Sequence, residues 1–158
     1  MWTSLHLLAL ALGVRPWEGP PPPGWEHLPA ATCQQLQPFF SELDLGRDVL
    51  WRVGELPWWV RRLAVVPPVA ITFGALVWVV PGCYAPSTPA GLELIAHELT
   101  HVVQYRRHGY FGFTLRYGLE FLTNVLRGDS LTQAYENITF EVEARTHAAA
   151  VAGQYLFV

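Results

Sequence analysis

Apolar residues between Leu92 and Val103 recur every three or four positions. At 100° per residue, Leu92, Ile95, Ala96, Leu99, Val102 and Val103 fall on one stripe, and His97, His101 and Gln104 lie nearly opposite it. The pattern predicts an amphipathic helix that turns one face to a core and keeps its histidines on the other. Thr88-Pro89 reads as an N-cap followed by proline at the first helical position. Arg106, Arg107 and His108 occupy the last turn, where the helix dipole favours cations, and Gly109 is a natural residue just past the end. A second helix is predicted over residues 110–126; with Arg116 and Glu120 it reads as an amphipathic connector. A third starts at Ser130, where Ser130-x-x-Gln133 forms a capping box. Leu131, Ala134, Tyr135, Ile138 and Val142 would be its buried stripe. Glu141 borders that stripe on the side of Asn137, Ala144 and Ala148, while Glu143 and His147 point further round.

Upstream the period changes. Residues 32–43 suggest a short helix broken near Pro38, and residues 48–53 alternate as a strand does. Residues 69–73 and 76–80 are rich in β-branched side chains around Gly74-Ala75, which predicts a hairpin. Residues 63–92 carry no charge, a length that would suffice to cross a bilayer as a helix. Pro67-Pro68, Gly74, Pro81-Gly82, Pro86 and Pro89 would break such a helix repeatedly, so strands and turns are the expected reading. At the N-terminus, residues 5–14 form an apolar run of ten, too short to span a bilayer, and no basic residue precedes it as in a signal peptide. Residues 15–23 then read as a stiff Pro-rich arm. The division expected is residues 1–30 as apolar segment and arm, and 31–158 as one domain. Its class is α+β, a small antiparallel sheet packed on the histidine helix and two further helices. A cytoplasmic location is favoured, with secretion as the alternative.

The chemistry concentrates in His97-Glu98-Leu99-Thr100-His101. Histidines four apart stack one turn apart on a helix, where both imidazoles can bind one metal ion. Glu98 projects sideways, within reach of a water on that ion without ligating it. The competing reading is an ordinary surface helix with two histidines, and the separate apolar stripe weakens it. His108 lies about 10 Å along the axis from His101, too far to share an ion. Catalytic zinc sites have three protein ligands and a water, so a third should come from the later helix. Glu141 ranks first there, Glu143 second and His147 third. Against each carboxylate stands the reading of a solvated helix face.

Composition narrows the field. The chain has 158 residues, enough for one domain with a core, and it is 51% hydrophobic and 15% charged, which excludes a disordered tail. A net charge of −3 offers no field for nucleic acid. Cys33 and Cys83 are fifty positions apart, without ligand spacing, and leave buried thiols or one disulfide open. Trp58 and Trp59 are candidates for peripheral membrane contact or packing on a partner; the oligomeric state is left open.

A later-helix glutamate after His97-Glu98-Leu99-Thr100-His101 resembles the gluzincin metallopeptidases. Residues 43–150, about two-thirds of the chain, resemble more closely a bacterial family of unknown function with a minimal peptidase-like domain. Its members are linked to toxins and contractile injection systems. The matching pieces are Gly54-Glu55-Leu56-Pro57-Trp58-Trp59, Ala70-Ile71-Thr72-Phe73-Gly74, Pro81-Gly82-Cys83-Tyr84, Ala96-His97-Glu98-Leu99-Thr100-His101-Val102-Val103-Gln104 and Phe140-Glu141-Val142-Glu143-Ala144. Only the His-Glu-x-x-His piece is highly specific. Glu141-x-x-Ala144 also resembles the ligand segment of HtpX-type peptidases, which supports Glu141 over Glu143. Arg145 stands where that pattern has aspartate, so the partner that orients a zinc histidine is not identified by it. The resemblance implies a minimal zincin-like domain with one Zn2+ per chain, held by His97, His101 and Glu141, and Glu98 as general base against a peptide or protein substrate. It also implies that residues 76–80 form the edge strand that pairs with an extended substrate. Tyr135, Tyr117 and His147 are the candidate donors to the oxyanion. The alternative is an inactive zinc-binding module that docks onto a larger assembly.

Overall fold

A computed structural model of the chain describes residues 20–64 and 66–155. The apolar run at 5–14 and the arm as far as residue 19 lie outside the described residues. Helix α1 (Ala30–Leu36) and a 3-10 turn (Gln37–Phe39) lead to strand β1 (Leu50–Val53) and helix α2 (Trp58–Leu63). Strands β2 (Ala70–Phe73) and β3 (Leu76–Val79) follow, then α3 (Pro89–Leu126), α4 (Leu131–Glu136) and α5 (Thr139–Tyr155). The class is α+β: a three-stranded sheet with α3 packed on it.

The hairpin forms where expected. Gly74, at φ 59°, supplies the left-handed residue that a two-residue turn requires. The sheet, however, is mixed rather than antiparallel, in the order β1-β3-β2. Strand β3 is central, parallel to β1 and antiparallel to β2. The chain crosses over through α2 between β1 and β2, so β1 arrives on the far side of β3. Leu76, Val77 and Val79 are buried, as befits a central strand covered on both faces. The edge strand beside the histidine helix is therefore β2, not β3. This corrects the assignment of residues 76–80 to the cleft edge, since periodicity gives the strand but not its neighbours.

The chain just before α1 belongs to the folded body. Glu26 bridges to Trp51, and Trp25 packs edge-on against Trp78 at 4.6 Å. Helix α3 starts with the Thr88 hydroxyl accepting from the Gly91 amide at 3.1 Å. Gly91 has no room for a side chain, since a Cβ there would lie 1.8 Å from the Ala85 carbonyl oxygen. Gly109 adopts φ 68°, ψ 163° and kinks the helix between its two halves. Arg106 and Arg107 fasten the first half to Asp48 and Glu42.

The third helix divides in two. Asn137 ends α4 and Ile138 opens α5, so the helical phase is reset between them. That changes the expected buried stripe: Ala134 and Ile138 are buried, but Leu131 and Val142 are 53% and 44% exposed. On α5 the buried positions are Phe140, Glu141, Ala144, Ala148, Val151 and Ala152. The small side chains of Ala144, Ala148 and Ala152 let α5 lie close along α3. Among the described residues no helix is long and apolar enough to cross a membrane. Cys33 and Cys83 are free thiols, which settles that alternative against a disulfide.

Candidate metal centre

The first half of α3 carries His97 and His101 one turn apart, and their Nε2 atoms face each other at 3.1 Å. From α5, Glu141 reaches in between. Its Oε2 lies 3.4 Å from His97 Nε2 and its Oε1 lies 3.4 Å from His101 Nε2. The ligand atoms of these three residues all fall within 4.8 Å of one another, so the group can hold a metal ion. Glu141 is 3% exposed. Its Oε2 is buried without a hydrogen-bond partner, with the Arg145 guanidinium 3.9 Å away, and such a carboxylate oxygen is costly unless a cation takes it up closely. The donor set of two imidazoles and a carboxylate suits zinc and other divalent ions of the first transition row.

The surrounding shell selects how each ligand presents itself. Gln104 Nε2 donates to the Phe140 carbonyl and to Glu143 Oε2, each at 3.0 Å. With both amide hydrogens engaged, Gln104 Oε1 faces His101 and accepts from its Nδ1 at 2.8 Å. His101 is thereby held in the tautomer that leaves its Nε2 lone pair available to a metal ion. Tyr117 donates to Glu141 Oε1 at 2.8 Å. Glu98, 5% exposed, sits beside the ligands, and Thr72 of β2 donates to its Oε2 at 2.6 Å.

Electrostatics follow from this crowding. Burial works against protonation of His101, yet the hydrogen bond to Glu141 and the charges of Glu141 and Glu98 raise its pKa above the usual value. Burial opposes ionisation of Glu141, but the close imidazoles of His101 and His97 and the hydrogen bond from Tyr117 hold its carboxyl well below the carboxylate range. Burial and the neighbouring Glu141 push the Tyr117 and Tyr135 hydroxyls up, so both stay protonated donors. Two buried carboxylates, Glu141 and Glu98, thus stand beside the two imidazoles, surroundings that favour a cation.

The site opens on a cleft of about 840 Å3. Its walls are β2 with Val66 and Val69 on one side and Tyr117, Gly118 and Phe121 on the other. Tyr135 and Arg145 also line it.

Residues ranked lower from the sequence fall elsewhere. Glu143 is not among the converging ligands; it holds Gln104. His147 bonds to Thr100 Oγ1 at 3.0 Å and packs on Phe40, and it does not line the cleft. His108 packs on Phe140, and Asn137 donates to Asp129. Thr72 was not singled out as a functional residue, and only the tertiary pairing of β2 with α3 shows its contact. Gln104 was visible on the histidine face, but its orienting role depends on α5.

The profile of the eCIS core domain family matches residues 27–109, just over half of the chain, while no curated protein and no solved structure matches it. That span holds the sheet and the first half of α3 with His97, Glu98 and His101; Glu141 lies beyond it. The chain belongs to the eCIS core domain family, which links it to extracellular contractile injection systems.

Proposed function

We propose that the protein is a zinc-dependent endopeptidase. The observation that carries this reading is Glu98: a buried carboxylate fixed by Thr72, next to a three-ligand group but outside it, at the wall of a cleft. A site that served stability alone would have no use for such a base, and structural zinc is commonly enclosed by four ligands. His97, His101 and Glu141 would hold the zinc, which would supply the Lewis acidity that acidifies water and polarises a carbonyl. Glu98 takes the proton from the attacking water and delivers it to the leaving amine. Thr72 occupies one carboxylate oxygen, and the other carries the proton. Tyr117, Tyr135 and Arg145 all line the cleft beside Glu141, and they are the candidate donors to the oxyanion. The outer edge of β2 pairs with an extended substrate through its backbone.

Glu98→Gln tests the reading. Metal content should stay near that of the wild type, while hydrolysis of an unstructured peptide library falls about 10^2- to 10^4-fold. Equal activity in the two proteins would sink the mechanism. The family's link to injection systems favours one second reading, a metal-holding module that docks in the assembly without turnover. It predicts bound metal and no hydrolysis by either protein.

A further inference from the structure

One face of α3 has no counterpart among the described residues. Phe111, Leu115, Leu119, Leu122 and Leu126 are 81%, 64%, 55%, 52% and 78% exposed. Spacings of four, four, three and four place them on a single ridge of the second half of α3, roughly 23 Å long. The ridge points away from the face that carries Phe113 and Tyr117 toward α5.

We propose that this ridge is the interface of a homodimer, in which two copies pack the second halves of α3 antiparallel about a twofold axis near Leu119. The area suffices. Five side chains at those exposures present on the order of 500 Å2 of apolar surface, so two copies have up to about 1,000 Å2 to bury from them, and the flanking residues add to it. Exposed Gly112, Gly118, Thr114 and Thr123 flank the ridge and let the backbones approach.

The ridge itself carries no charge. Arg116 and Glu120, which line the groove beside it, neutralise each other at 2.8 Å, and Arg127 is the remaining charge in that lining. A helix bound flat on a membrane would instead show a polar face rich in Lys and Arg, and residues 110–126 carry a single basic residue, Arg116. Beside the ridge a groove of about 540 Å3, bounded by Leu115, Leu119, Thr123 and Thr139, offers the partner's side chains a seat. A ridge and a groove on one surface are what a twofold interface needs, because each copy supplies both. Antiparallel pairing sets Phe111 against the partner's Leu126 and Leu115 against the partner's Leu122.

Sedimentation equilibrium of the full chain at concentrations on the order of 10 μM reads this directly. The wild type should be dimeric. Leu119→Glu, which sets two carboxylates face to face at the axis, should weaken association at least ~100-fold with an unchanged helical circular dichroism spectrum. Leu119→Met should keep the dimer. A monomeric wild type would overturn the proposal, as would a dimer indifferent to Leu119→Glu. So would a monomer that co-sediments with phosphatidylcholine vesicles, which would assign the ridge to a membrane. None of these outcomes depends on metal or on peptide hydrolysis.

Discussion

The two halves of α3 are built on opposite terms although one helix runs through both. Residues 89–108 pack Leu92, Ile95, Ala96, Leu99, Val102 and Val103 into the main core, and their polar face, His97, Glu98, His101 and Gln104, is mostly buried as well. Residues 110–126 leave most of their leucines in solvent and bury aromatic rings instead. Phe113 stacks on Phe140 at 4.7 Å, and Glu120 Oε2 accepts from the Thr139 amide at 2.7 Å. That inner face, with Arg116 over the Phe140 ring at 4.8 Å, seats the start of α5. One half holds two ligands; the other half positions the helix that brings the third. The lesson is a division of labour: burial where a cation site must be dry, and a rigid strut where a ligand must be delivered from far along the chain.

The contrast can be broken at its strongest point first. Leu99, with no exposed surface, should lose about 2–5 kcal/mol on Leu99→Ala, whereas Leu115→Ala in monomeric protein should stay within about 0.5 kcal/mol. Chemical denaturation of both variants, at concentrations below any association, measures the gap. Equal losses would mean that the second half is covered in solution.

A smaller effect sharpens the metal side. Gln104→Ala removes the acceptor for His101 Nδ1 and should weaken zinc binding about 10- to 100-fold without unfolding the chain. Competition with a chromophoric chelator gives the number. Gln104→Glu keeps an acceptor facing the ring but loses both donations, to the Phe140 carbonyl and to Glu143, and should recover only part of the loss.

The smallest expected effect concerns pH in the metal-free protein. Glu141, lowered from 4.5, stabilises the fold above that value and loses its contribution as pH falls through its depressed pKa. His101, raised from 6.5, contributes fully below that value and loses the contribution as pH rises through its elevated pKa. Both are in force between pH 4.5 and 6.5. In chelator, the melting temperature of the wild type should exceed that of Glu141→Gln by roughly 2–4 °C per kcal/mol within that window, and by less on either side. A gap that is flat with pH would remove the ion pair from the account.

How far the chain could be read without coordinates varies with the range of the interaction concerned. Local order was legible. Thr88-Pro89 and Gly109 mark where the first half of α3 begins and ends, Ser130-x-x-Gln133 caps α4, and Gly74 turns the hairpin, because caps and turns are settled by residues within a few positions of one another. The pairing of His97 with His101 was legible for the same reason, since helical geometry alone sets it.

What the tertiary structure decided lies at longer range. Whether β2 or β3 forms the edge depends on the crossover through α2, and the alternation of residues 70–79 is the same in either order. The pause at Asn137 turned α5 so that Glu141 faced inward and Val142 outward. The contacts from Thr72 to Glu98, from Gln104 to Glu143 and from Tyr117 to Glu141 join positions 24 to 39 residues apart. Residue types say that such groups can bond; only packing α5 and β2 against α3 brings them within 3 Å. By itself the sequence determined which side chains could serve a metal, and the fold decided which of them share one point in space.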